Sequence, residues 1–361
     1  MNGASWAVAA CWVPATALAA GRRWRRTATG RVAAATVPVL GCTLLVLDLL
    51  LPGTPPGGLW LVDRLGRTLL GSALLAWTVT AALLPERNDR ASGSANGRWW
   101  TGSCAAAGGT AMACLADDLF LAIAGLGVAM LGTQGRSWSD PRRLAVPAFV
   151  LASAWLAAIL LSHALGAPAR WSELPRVAAS GGETGLAAAL LGSATLGTCW
   201  FAVSRAQRPD GWPFASTRAG MVGAAGCCLL LRCLALPDGG RFRAVTTFAA
   251  AAMLLVALLS SPGLLERRDR LAGAAFVLLS SCLVAFAAGG PTAVAAGVLG
   301  LFASAAAYPA ALLAAAGWRR SVFTAVLAGL PPFAPFVALL LVAEQMFAAT
   351  AIVALLMLAA L

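Results

Sequence analysis

Chemistry in this chain would have to come from the few ionisable residues set in apolar sequence. Glu344 follows the apolar run 321–343, Asp48 stands near the end of the run 32–51, and Asp117-Asp118 lies where the runs 99–116 and 118–133 meet. Carboxylates in such surroundings can carry protons, and intramembrane acids mark ion paths. Glu344 reads equally as a path residue or as an interfacial one between the last two runs. Asp48, close to Pro52, reads as interfacial. Asp117 and Asp118 read as a solvated turn, with Asp118 kept as a proton-path candidate. His163 is the only histidine and lies near the outer end of its run. It fits a helix-end structural role better than a relay. Arg218 and Arg232 bracket one run, placed to snorkel or to pair with acids on neighbouring helices.

All 26 basic residues counted as Lys+Arg are arginine, since no lysine occurs. A buried lysine can lose and regain a proton, whereas a guanidinium stays protonated at any working pH. Catalysis by other means finds no footing. The chain carries no Gly-rich phosphate loop, paired carboxylates, metal-ligand spacing or nucleophile with a base, so no catalytic residue or cofactor is expected. The nine cysteines contain no Cys-x-x-Cys pair and read as small buried residues.

Proline supplies the other chemical feature. Pro331, Pro332 and Pro335 stand in Leu327-Ala328-Gly329-Leu330-Pro331-Pro332-Phe333-Ala334-Pro335-Phe336. Each removes an amide donor and clashes with the preceding turn, so a helix must break here. At membrane depth the freed carbonyls must face protein or a water-filled cavity, as in the broken helices of transporters.

The elements that must position these residues follow from composition. The chain has 361 residues, 60% hydrophobic and 11% charged, whereas a soluble globule has about a quarter of its residues charged. It reads as an all-α, polytopic integral membrane protein forming one domain over 1–361. The apolar runs are 4–20, 32–51, 68–84, 99–116, 118–133, 144–166, 184–204, 216–236, 244–260, 271–288, 292–316, 321–343 and 346–361. Most approach the length a membrane helix needs, which predicts about 13 transmembrane helices. Residues 1–20 carry no basic flank before the apolar stretch, so they read as an uncleaved first span.

Arginine sets the expected orientation. Alternate loops hold Arg22, Arg23, Arg25, Arg26 and Arg31; Arg87, Arg90 and Arg98; Arg136, Arg142 and Arg143; Arg205 and Arg208; Arg267, Arg268 and Arg270; Arg319 and Arg320. The intervening loops hold only Arg64, Arg67, Arg170, Arg176, Arg241 and Arg243. The richer set should be cytoplasmic, with the N-terminus outside the plasma (inner) membrane. The net charge of +12 is therefore an orientation signal, and no nucleic-acid partner is expected.

The proline stretch is similar to the Leu-Ala-Gly-Ile-Pro-Pro-Leu-Ala-Gly-Phe-Phe-Gly-Lys motif in the broken helix of the antiporter-like membrane subunits of respiratory complex I, the NADH-quinone oxidoreductase. Membrane-bound hydrogenases and multisubunit cation/proton antiporters contain relatives of these subunits. Further matches keep the family's order. Asp117 to Leu131 resembles its Asp-Leu-Leu...Gly-Leu-Glu helix; Asp140-Pro141-Arg142-Arg143 and the run ending Leu161-Ser162-His163-Ala164-Leu165-Gly166-Ala167 resemble its next loop and helix. Arg208-Pro209-Asp210-Gly211-Trp212 stands at its Val-Pro-Phe-His-Leu-Trp, and Leu229-Leu230-Leu231-Arg232 matches an arginine ending the following helix. The resemblance covers 117–361, about two thirds of the chain.

The resemblance implies a proton path through a glutamate and several lysines, and this sequence departs from it. The glutamate position is Gly127. The lysine positions fall at Leu339, Ser204 and Gly223, with Arg218 the basic residue nearest the last. The proton-path candidates that remain are Glu344, Arg218, Arg232, His163 and Asp118.

The resemblance thus implies a divergent antiporter-like subunit of a complex I-type or hydrogenase-type proton-translocating redox complex, structural or with a weakened proton path. Its partners would be the other membrane and peripheral subunits and the lipid bilayer. If an enzyme is involved, this chain is at most its non-catalytic membrane subunit. The alternative is a free-standing polytopic transporter or membrane enzyme unrelated to complex I.

Overall fold

A computed structural model describes residues 60–61, 63–83, 93–134, 141–174, 182–206, 213–235, 246–252, 255, 267–313 and isolated positions between 322 and 344. Eight long helices lie among them: α1 Arg64–Leu83, α2 Gly93–Leu115, α3 Leu119–Gln134, α4 Pro141–Leu165, α5 Gly182–Ala206, α6 Pro213–Leu234, α7 Arg267–Ala288 and α8 Pro291–Leu313. Each covers one of the apolar runs expected from the sequence, displaced by a few residues. Among the described residues there is no strand. The runs 4–20, 32–51 and 346–361 lie outside the described residues, as do Asp48, Leu339 and the break at Pro331, Pro332 and Pro335.

Local chemistry explains where the helices begin and end. The Asp63 carboxylate accepts the amide of Gly66 at 2.7 Å, an N-cap that satisfies one orphan donor of α1. Asp118 does the same for α3 through the amide of Leu121 at 3.0 Å. After α4 the chain turns at Gly166, whose φ of 63° suits a residue without Cβ. Helices α7 and α8 are joined only by Gly289 and Gly290, with φ 72° and 84°, and Pro291 then opens α8 at its first position.

Helix α6 is the axis of the bundle. Every residue from Met221 to Leu234 is buried, as expected of a helix that is apolar all round. Cys227, Cys228 and Leu231 join one core with Leu70, Trp77, Leu115, Leu283 and Phe286. Val222, Ala225 and Leu229 join another with Leu119, Ile123, Leu126, Val150 and Leu191. Cys114, Cys199, Cys227, Cys228, Cys233 and Cys282 are free and buried, the place the sequence suggested for them.

Helices α2 and α3 pack with their backbones in contact. A Cβ on Gly109 would stand 2.5 Å from the carbonyl oxygen of Gly125, and one on Gly125 would stand 2.7 Å from the amide nitrogen of Ala113. Gly102 and Gly132 repeat this seven residues away, with a Cβ on Gly132 2.7 Å from the Gly102 carbonyl. Small residues at such spacing let membrane helices approach closely.

The outer surface is apolar on α4 and α5. Val146, Phe149, Trp155, Leu156, Ile159, Leu186 and Trp200 are exposed, and on α4 Val146, Phe149, the exposed Ala152, Leu156 and Ile159 recur at three- and four-residue intervals along one face. The segments Leu144–Leu165 and Thr184–Ala202 of these helices are long and apolar enough to cross a membrane.

Candidate functional site at the two arginines of α6

Helix α6 carries two buried cations, Arg218 and Arg232, each 7% exposed. Fourteen residues of helix separate them by about 21 Å. Each grips one end of the α2–α3 pair.

Arg232 sits where α2 stops and α3 starts. Its Nη2 donates to the carbonyl of Cys114 at 2.8 Å and pairs with the Asp63 carboxylate at 3.0 Å. Its Nη1 donates to the carbonyl of Ala116 at 3.3 Å. The carbonyls ending a helix lack partners within it, and a cation there is favoured by the helix dipole. Arg232 therefore caps α2 while Asp63 supplies the counter-charge. The Trp171 ring lies beside the guanidinium, 5.6 Å from Cζ to the centroid, within cation–π range. Gly66 is required here: a Cβ would strike the Cys114 carbonyl oxygen and lie 2.7 Å from Asp63 Oδ1.

The link between α2 and α3 is pinned on both sides. Residues 60 and 116 pair antiparallel, as do 118 and 170. The amide of Leu61 donates to the carbonyl of Leu115 at 2.8 Å, that of Leu119 to Ala169 at 2.9 Å, and that of Trp171 to Asp117 at 2.9 Å. Asp117 is 6% exposed, and its carboxylate accepts the amide of Ser172 at 3.0 Å and the Ser172 hydroxyl at 2.8 Å. This corrects the expectation of a solvated turn. Asp117 is buried and bonded, and Asp118 is half-buried as the cap of α3, because the segments before α1 and after α4 close over them. A sequence reading treats two acids between helices as wet, since it cannot see what folds back on them.

Arg218 holds the other end. Its Nε donates to the Ser103 hydroxyl of α2 at 3.2 Å, and its Nη1 to the Gly132 carbonyl at the end of α3 at 3.2 Å. Gly102 leaves room for it, since a Cβ there would stand 3.1 Å from Nη1. Of the two expectations for these arginines, Arg232 does pair with an acid, and Arg218 turns inward to a hydroxyl and a carbonyl rather than snorkelling. Between them, Thr110 of α2 donates to the Met221 carbonyl of α6 at 3.1 Å.

The remaining candidates are scattered. His163 is exposed in the last turn of α4, and its carbonyl accepts the amide of Gly166 at 3.3 Å. Asp118, Arg232 and the α4 end thus gather at one end of the bundle, with Arg218 at the other. Glu344 is exposed on a helical segment with Val337 and Leu340. Gly127 is buried on α3, where a Cβ would meet the Leu151 methyls of α4 at 3.4 Å; a Cβ on Gly223 would meet Ala202 of α5 at 3.5 Å. Ser204 lies in α5. Asp63, Ser103 and Trp171 escaped the sequence reading. Only Asp63 left a signal, as an acid just ahead of an apolar helix.

No protein-family model matches the chain, and no curated protein matches it. Solved structures do. A chain of the Mrp complex from Dietzia sp. DQ12-45-1b superposes with a TM-score of 0.76 at 18% identity over 99% of this chain and 45% of that one. A chain of the membrane-bound sulfane sulfur reductase, an archaeal respiratory membrane complex, gives 0.78 at 15% identity, covering 98% and 67%. One from Thermus thermophilus respiratory complex I gives 0.71 at 20% identity, covering 98% and 86%. The chain spans less than half the length of its Mrp counterpart. Among the described residues the chain is all-helical, and its fold is that of these chains of the Mrp, sulfane sulfur reductase and complex I structures, the fold its sequence resemblance implied.

Proposed function

We propose that this chain is a divergent antiporter-like subunit of a complex I-type or hydrogenase-type ion-translocating assembly, in which it holds helices and partner subunits in place and conducts protons poorly. One observation carries the reading: among the described residues, the charged groups buried in the bundle are committed to structure. Arg232 and Arg218 cap and clamp α2 and α3 and cannot release protons at working pH. At the positions where the resemblance implies a glutamate and a lysine, Gly127 and Gly223 hold no titratable group and face Leu151 and Ala202. A bound water needs about two to four polar partners, and these side chains offer none to bridge the gap.

Two measurements test it. Mild-detergent purification of the tagged chain with mass spectrometry of what accompanies it should recover iron–sulfur, nickel–iron or NADH-oxidising subunits, or other membrane subunits. Recovery of the chain alone would favour a free-standing transporter. In proteoliposomes an imposed pH gradient should decay at nearly the protein-free rate. A rapid collapse that Glu344→Gln abolishes would overturn the structural reading and establish Glu344 as a relay.

A further inference from the structure

The corner between Arg232 and Trp171 contains two donors that no protein acceptor meets. Arg232 uses Nη1 and Nη2 on the Ala116 and Cys114 carbonyls and on Asp63, but its buried Nε has no partner. Trp171 is 5% exposed, and its buried indole Nε1 likewise has none. The two groups belong to one corner, because the guanidinium carbon lies 5.6 Å from the ring centroid. A buried donor left unbonded forfeits its hydration without replacement, which makes two in one corner an unfavourable arrangement unless something accepts from them.

We propose that this corner binds an ordered water molecule, accepting from Arg232 Nε, Trp171 Nε1 or both. The ligand must be small, because residues 60, 61 and 63 and the segments 115–119 and 169–174 pack around the site. It must be an acceptor, because both open groups are donors. Charge selects water over a halide: Asp63 already balances Arg232 at 3.0 Å. An added anion would bring a further buried charge to a pair that is already neutral. Water instead offers two hydrogens to the spare lone pairs of the neighbouring carbonyls, matching the bonding of buried waters in general. The site stands independently of the function proposed above.

Radiolytic footprinting of the intact protein in nanodiscs tests the site, since hydroxyl radicals made from a bound water oxidise the side chain it touches. Trp77 is the internal control, also buried, at 0% exposed against 5% for Trp171, with an unpartnered Nε1 but set in an apolar core. Trp171 should oxidise at least about fivefold faster than Trp77, with the same rate in chloride and in gluconate. The exposed His163 reports that the dose was effective. Rapid mixing into water labelled with oxygen-18 should leave Trp171 incorporating the old isotope after His163 has switched to the new one. Oxidation of Trp171 as slow as that of Trp77 would overturn the proposal. Labelling that appears only when chloride is withdrawn would replace water by a halide, and immediate isotope switching would replace a bound water by bulk solvent.

Discussion

Replacing Arg232 with methionine keeps much of its length and removes its charge, and the structure sets the cost. Two carbonyls at the end of α2 lose their donor, at 2.8 and 3.3 Å, and Asp63 loses its partner at 3.0 Å. Hydrogen bonds to a charged group contribute about 1.5–3 kcal/mol each, and breaking a buried pair costs about 3–5 kcal/mol. The Asp63 side chain is 31% exposed, so water recovers part of the loss and the ion-pair share is discounted toward the surface range. The net expectation is a loss of about 3–5 kcal/mol, carried mainly by the carbonyls. Reversible unfolding in mixed micelles with SDS reads it. Asp63→Asn keeps the N-cap on Gly66 while removing the charge, so it should cost only about 1 kcal/mol. Combined with Arg232→Met, it should recover about 1 kcal/mol of coupling. An Arg232→Met protein as stable as the parent would refute the claim that this arginine closes the end of α2, and additivity in the cycle would refute its pairing with Asp63.

Other outcomes follow from the same geometry. Gly109→Ala should destabilise by at least about 1–3 kcal/mol in the same unfolding assay, because its Cβ meets the backbone of Gly125 and Ala129. Gly185→Ala, with nothing within 4 Å, should be neutral or gain up to about 1 kcal/mol. Arg218→Gln should lose about 1.5–3 kcal/mol as the bonds to Ser103 and the Gly132 carbonyl weaken, while leaving proton leak in liposomes unchanged; a large rise in leak would assign Arg218 to an ion path. Gly127→Glu, whose Cβ alone has ordinary room beside Leu151, should not raise proton flux by itself or with Leu339→Lys. A flux increase in the double variant would show that those two positions are all the path lacks.

The sequence alone determined class and layout. Apolar runs near membrane length, arginine concentrated between them and the absence of lysine are one-dimensional properties, and they are enough to predict a helical protein of membrane type and to deny it a lysine relay. The runs at 144–166 and 216–236 became α4 and α6 within a few residues, because helix formation in an apolar run is decided locally. The order of motifs from Asp117 onward was legible for the same reason, and the fold agrees with the family they suggested. Partnership was not legible. Asp63 and Arg232 are 169 residues apart, and nothing in either neighbourhood points to the other. Asp117 looked wet because burial is conferred by Trp171 and Ser172, 54 and 55 residues away. The glycines at 102, 109, 125 and 132 were lost among 38 until the antiparallel approach of α2 and α3 showed which of them must lack a Cβ. Local propensity writes the helices, but only their packing decides which charges are neutralised, which carbonyls are capped and which donors are left for water.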